Sequence, residues 1–255
     1  MIYDLQKASF SKRISAYLFD VIIFAMLAVA LAFGLSVVTG FDKCNEKLTG
    51  YYAEYENAYG ISFDISEEEY NALSSEELQK YDAASEAFSK DEKVIAAYSL
   101  MLNLTMVITS VSLLMTYLIL EFAIPLFFGN GQTVGKKIFG IGLMRKDGVK
   151  INAISLFVRT VLGKYTIETM IPVLMIIMIY FNSIGLLGLI IIGAVLITQI
   201  VFLIATGTNS AIHDALANTV AIDMSSQMIF ESEQALIEYK NRIHAEANDA
   251  GGADY

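Results

Sequence analysis

Four long apolar runs constrain this chain more than any other feature. Ile14 to Val38 carries a single charge, Asp20, and Val94 to Leu120 carries none. Thr169 to Phe181 is a shorter charge-free run, and Ser183 to Thr206 is long enough alone. Crossing a hydrocarbon core of about 30 Å takes about 20 helical residues, so these runs predict four membrane spans. Asn182 and Ser183 are the only break between the last two. That predicts a tight helical hairpin, with the third span starting near Tyr165 and Glu168 in its first turn, where a carboxylate suits the helix dipole. The predicted class is an all-α membrane protein: a four-helix transmembrane bundle with an acidic helical insertion and a short β-hairpin.

Charge is distributed to match. Between Asp42 and Lys93 there are 14 acids against 5 bases, and from Gly207 onward 8 against 2, whereas Gly129 to Tyr165 holds 7 bases and one acid. Such asymmetry reports topology rather than a nucleic-acid partner, and none is expected. Cytoplasmic loops carry the excess lysine and arginine. The basic 129–165 loop and Lys7, Lys12 and Arg13 before the first span therefore belong inside, which leaves 40–93 outside. The expected division is residues 1–38 for the cytoplasmic N-terminus and first span, and 39–93 for the acidic outer insertion. The second span follows in 94–128, and the basic inner loop, hairpin and interfacial helix in 129–165. The third and fourth spans occupy 166–206 and a cytoplasmic tail 207–255. A cleaved signal peptide fits poorly, because the first apolar run is too long.

Ser66 with Glu69, Ser74 with Glu77 and Ser89 with Glu92 form three Ser-x-x-Glu capping boxes, which predict helices in the insertion. Tyr51, Tyr52, Tyr55, Tyr59, Tyr70 and Tyr81 suggest a small amphipathic cap near the membrane surface, where tyrosine is favoured. With no binding site visible, a solvated helical insertion is preferred to a ligand-binding domain. Cys44 is the only cysteine, and no Cys/His cluster has zinc spacing. No nucleophile elbow, His-Glu-x-x-His helix or Ser-x-x-Lys pattern occurs, so neither an enzyme, a metal nor a cofactor is expected.

The segment Gly129 to Gly148 looks superficially like a phosphate loop. A Walker loop needs four residues between its first Gly and the Gly-Lys, then Ser or Thr. Here Gly131 and Gly135 are separated by three, and Lys136 is followed by Lys137. The better expectation is a turn out of the second span and a ribbon reversing at Asp147-Gly148, a type I′ signal. Lys136 and Lys137 are then expected at the level of anionic headgroups. Ile154 to Tyr165 reads as an interfacial helix leading into the third span.

These motifs resemble the RDD family of bacterial membrane proteins. Lys12-Arg13 with Asp20 matches its opening motif, Gly131-x-Thr133-x-Gly135-Lys136 with Gly140-Ile141 its glycine-rich inner loop, and His213-Asp214-x-x-Ala217-x-Thr219 its closing motif. The likeness covers residues 8–223 apart from the outer insertion. Asn218 stands where the closing motif usually has glycine, and Gly142 where the loop usually has a basic residue. The resemblance implies a multi-pass protein of the bacterial plasma membrane and transport as its activity, with sodium/proton antiport attributed to some members.

Charge inside an apolar helix is costly and marks ion paths or buried pairs. Arg13 and Asp20 lie on nearly one helix face about 10 Å apart, too far for a direct pair. Arg13 is therefore expected to pair with Asp214, and Asp20 to face the bundle interior. There Asp20 either binds a small cation or proton, with Arg13, His213 and Asp214 as further path residues, or accepts a hydrogen bond from Asn103, Thr105 or Gln199. Transport in the lipid bilayer, with a homo-oligomer supplying further helices, is the preferred function; a scaffold or regulator whose charges only fix helix packing is the alternative. Glu121 before Pro125 reads as a headgroup-level carboxylate preceding a helix break, with a gate as the sharper reading. In the tail, Ile229, Leu236, Tyr239 and Ile243 predict an amphipathic helix that docks on a partner or on the membrane-proximal surface, and Asn248 to Tyr255 is expected to be disordered.

Overall fold

A computed structural model describes residues 5–206, 208 and 210–251. It is mostly helical, and four helices are long and apolar enough to cross a membrane: Phe10–Thr39, Glu92–Phe128, Ala153–Tyr180 and Leu186–Ala205. At about 1.5 Å per residue the first is about 45 Å long, well beyond a core of about 30 Å. Its opening turns are used elsewhere. Ala16 is buried in a cluster with Ala8, Ile141, Leu143, Ile151, Leu156 and Ala221, and Lys12 pairs with Asp223 at 2.6 Å. From Val21 to Thr39 the helix has no charge and spans about 28 Å unaided. Asp20 immediately precedes this charge-free stretch.

The expected interfacial helix and third span are one continuous helix, Ala153–Tyr180. The hairpin into the fourth helix forms where predicted, with Asn182 in the left-handed region at φ 53°. Two stretches of these helices are wound as π-helix, Leu118–Ala123 and Val158–Met170. Each ends just before one of the chain's two prolines, Pro125 and Pro172, which sit in the first turn of the α-helical continuation. Proline has no N–H for the carbonyl four residues back, so that carbonyl is free for another donor. Four residues before Pro125 stands Glu121, whose carbonyl accepts the Thr160 hydroxyl of the third helix at 2.9 Å.

Two strands, β1 (Ile141–Arg145) and β2 (Thr219–Asp223), pair antiparallel with Leu143 opposite Ala221. The reversal at Asp147-Gly148 is present, with Gly148 at φ 94° and Arg145 N–H donating to the Val149 carbonyl. Only one bridge, Met144 to Lys150, follows it, because Asn152 caps the next helix by accepting from Ser155 N–H. The expected hairpin is therefore corrected: the main ladder joins β1 to a strand beyond the fourth helix. Burial explains the choice, since Ile141, Leu143 and Met144 are at most 1% exposed and both faces of β1 need cover. Lys7 bridges the outer edge of β2, and Val149 bridges Phe230. Residues before the first helix, between the second and third, and after the fourth thus share one small sheet. They lie on one side of any membrane those helices cross.

After Phe230 the helix Glu233–Gly251 forms, and Leu236 and Tyr239 pack on Val149 and Phe230. The amphipathic tail helix therefore docks on the chain's own sheet. It carries helical backbone to Gly251, into the stretch expected to be disordered; residues 252–255 lie outside the described residues.

Residues 32–111 form a compact unit of their own. It contains helices Phe41–Tyr59, Glu67–Asn71 and Ser75–Lys90, around buried Leu48, Val94 and Ala97. Both capping boxes at Ser66 and Ser74 are complete. The third is not: Ser89 donates to the Glu86 carbonyl, and Asp91 accepts from Lys93 N–H at 2.8 Å. Asp91 displaces Ser89 because it leaves the helix in extended backbone, the geometry a cap requires. Tyr52, Tyr55, Tyr59, Phe63, Phe88, Tyr81 and Tyr70 form a connected set of ring contacts.

Candidate functional site

Asp20 holds the glycine-rich loop. Its Oδ2 accepts the Thr133 hydroxyl, and its Oδ1 accepts Gly135 N–H at 2.7 Å. Thr133 also caps the short helix Val134–Ile138, accepting from Lys136 N–H. Glycine is required at 135 by proximity, because a Cβ there would collide with the Ala16 carbonyl and the Asp20 carboxyl. Gly131, in the left-handed region at φ 63°, packs its backbone against Leu143 and Ile151. The partners expected for Asp20 are elsewhere: Gln199 accepts from Ile212 N–H, and Asn103 and Thr105 belong to the other compact unit. Asp20 meets the loop between the second and third helices instead, and shares a cleft with Leu120 and Glu121 of the second.

Asp214 is held by Arg159, not by Arg13. The Arg159 Nε to Asp214 Oδ1 distance is 2.9 Å with both side chains under 5% exposed, and Thr219 donates to the same oxygen. The expected Arg13–Asp214 clamp fails for a physical reason. The third helix begins well before the expected Tyr165 and carries Arg159 to the closing motif, while the first helix sends neighbouring Lys12 to Asp223. Burial alone would raise the Asp214 carboxyl, but the adjacent guanidinium holds it well below the usual carboxylate range. His213 turns to the third helix as well. Its backbone N–H and Nδ1 both meet Glu168, at 2.9 and 2.8 Å. Gly163 permits this approach, since a Cβ there would stand 2.5 Å from His213 Cβ.

Around Glu121 the charges converge. Lys164 Nζ lies 2.6 Å from its Oε1 and Arg159 Nη1 lies 3.8 Å from its Oε2. Glu121 is 7% exposed, so it is a buried ion-pair member and not the headgroup-level carboxylate expected. Lys136 joins the cluster from the loop, its Nζ buried rather than at a headgroup. Burial, then the neighbouring Arg159, pushes its ammonium down to about 7, against the pull of Glu121. Among the described residues no hydrogen bond reaches Lys136 Nζ, Glu121 Oε2 or Arg159 Nη1. Asp20, Ile23, Phe24, Leu120, Glu121, Thr133 and Val134 line a cleft with room for about one water molecule.

The structure thus brings Asp20 together with Thr133 and Gly135, and His213 and Asp214 with the third helix. The residues that bind these groups into one cluster are Glu121, Arg159, Lys164 and Glu168, which sequence reasoning left as helix-end charges. A signal for two of them is present: Glu121-Phe-Ala-Ile-Pro125 and Glu168-Thr-Met-Ile-Pro172 repeat the same pattern, and each glutamate sits in π-helix. Such widened turns recur at functional sites because they re-aim side chains within a helix.

Asn218 accounts for one departure in the closing motif. It adopts φ 53°, the left-handed conformation that glycine and asparagine tolerate best. Asn218→Ala is expected to lower stability by about 1 kcal/mol, and Asn218→Gly to preserve it, in thermal unfolding of the purified protein. Gly142 leaves room that the Met224 side chain occupies.

Four apolar helices, a sheet joining their connecting segments and a buried charge cluster define a multi-pass helical membrane protein. Its opening, loop and closing motifs all contribute to that cluster or its supports. The chain belongs to the RDD family, whose model matches residues 7–218. Neither a curated protein nor a solved structure gives a match.

Proposed function

We propose that the chain transports a small cation or proton across the membrane, using the charge cluster around Glu121 rather than Asp20 alone. The observation that carries this reading is the set of three buried polar atoms, on Lys136, Glu121 and Arg159, that no hydrogen bond reaches among the described residues, with Glu121 also lining a water-sized cleft. Leaving such atoms unpaired costs stability, and active proteins retain such groups where a charge or proton must come and go. Asp20 serves this reading as a positioning residue, because both its oxygens are committed to the loop. The site suits an ion and not a larger solute. On this reading the protein acts in the bacterial plasma membrane as a non-enzymatic carrier. The sheet and both termini lie in the cytoplasm and residues 40–93 outside, in keeping with the basic 129–165 segment. A homo-oligomer in the bilayer would supply further helices.

Everted vesicles carrying the native chain are expected to show cation-dependent dissipation of a proton gradient, lost at least tenfold in Glu121→Gln. Native flux no higher than in control vesicles at equal expression would remove transport. A second reading, a scaffold, draws on a different observation: Lys12–Asp223, Arg159–Asp214, Lys164–Glu121 and Glu168–His213 each tie together separate segments. It predicts no native flux, and loss of stability without change of activity in the same variants.

A further inference from the structure

The glycine-rich loop places one group in the cluster that neither the ion pairs nor the loop geometry uses. We propose that Lys136 is the proton-exchanging group of this protein, with the Glu121 carboxylate as the counter-charge it gains and loses. This deepens the transport reading above and rests on it for its role, although the exchange itself can be measured without transport.

Other lysines in the same layer are consumed by partners: Lys12 by Asp223, Lys150 by Glu231 and Lys164 by Glu121. Lys136 is different, because its Nζ is buried with no hydrogen bond among the described residues. A buried ammonium without acceptors is held only by longer-range attraction, so it loses its proton readily. The groups that face it are Asp20 on the first helix, Glu121 on the second, and Arg159 and Lys164 on the third. Asp20 and Glu121 favour the ammonium; Arg159, Lys164 and burial oppose it, and the opposing set dominates.

The backbone fixes the lysine there. Lys136 follows Gly135, whose N–H is bonded to Asp20, and its own N–H is capped by Thr133. Neighbouring Lys137 projects instead over the Phe128 ring at 3.7 Å, so the two lysines of the motif have different surroundings. On exchange the ammonium becomes an amine and its proton passes to water. Glu121, which also lines the water-sized cleft, is left with one fewer cation around it. The deprotonated state therefore attracts a cation and the protonated state repels one, which is the competition a proton-coupled carrier requires.

The test is trace acetylation of the full-length native chain in lipid vesicles across pH 5.5 to 10, as a buffer series, with Lys136 read by mass spectrometry. The expected midpoint lies near neutral pH, about three units below an ordinary lysine. Glu121→Gln is expected to move that midpoint lower, because it removes an attraction that favours the ammonium. A native midpoint above about 9 would overturn the proposal, whatever the flux assay gives. A near-neutral midpoint in vesicles without flux would leave the exchange standing and overturn the transport reading. Lys136→Arg, which keeps the charge fixed, is expected to flatten the pH dependence of flux; an unchanged pH profile in that variant would assign the exchange to another group.

Discussion

Asp214→Ala is expected to cost about 3–5 kcal/mol of stability, because it leaves the Arg159 guanidinium buried without its main counter-charge. Arg159 is 3% exposed and its remaining carboxylate, Glu121, is 3.8 Å away and already bonded to Lys164. The loss of a buried partner is what is costly, not the net worth of the pair. The double replacement Arg159→Met with Asp214→Leu is therefore expected to recover most of the loss. Thermal unfolding in detergent reads both. A single variant within about 1 kcal/mol of native, or a double variant worse than either single, would count against the clamp. The pH dependence has a definite sign. The folded carboxyl of Asp214 lies below its ordinary value of about 3.9, so its stabilisation is complete above that pH and is lost as pH falls toward the folded value. The native protein should weaken on acidification below about pH 4, and Asp214→Ala should show a shallower decline.

Gly135→Val is expected to have the second large effect, at the contact between the first helix and the loop. Any Cβ there runs into the Ala16 carbonyl, which is helix backbone and cannot swing aside, and into the Asp20 carboxyl. Overpacking costs about 1–3 kcal/mol, and losing a hydrogen bond to a charged acceptor costs about 1.5–3 more. The loop should release from Asp20, with faster proteolysis between Gly129 and Gly140 and a lower unfolding temperature. Asp20→Ala should be milder, and Asp20→Asn milder still, since its amide oxygen can accept one of the two bonds. Native proteolysis rates in Gly135→Val would dismiss the latch.

The four apolar helices, the hairpin at Asn182 and two of the three capping boxes were legible in the sequence because each depends on local pattern. Long charge-free runs and Ser-x-x-Glu spacing act over a few turns. Asp20 was recognisable as an anomaly, but its donors, Thr133 and Gly135, lie more than a hundred residues away and no periodicity links them. The Asp214 pairing failed for a related reason. Arg159 looked like an interfacial charge because the helix around it was expected to lie on the surface; its continuity with the third span decides that it is buried. β1 was recognised as a strand, but its principal partner was not. A turn signal at Asp147-Gly148 identifies a reversal and says nothing about which edge the more distant strand will take.

That distant pairing has a consequence for biosynthesis. β1 is made long before β2, and the ladder between them cannot close until the fourth helix has left the ribosome and entered the bilayer. Nor can Arg159 meet Asp214 before then. During synthesis the chain therefore carries a strand without its ladder partner and a guanidinium without its main counter-charge, and truncation anywhere before residue 214 leaves both so. The closing segment works as a checkpoint for completeness: insertion of all four helices is what allows the sheet and the charge cluster to form together.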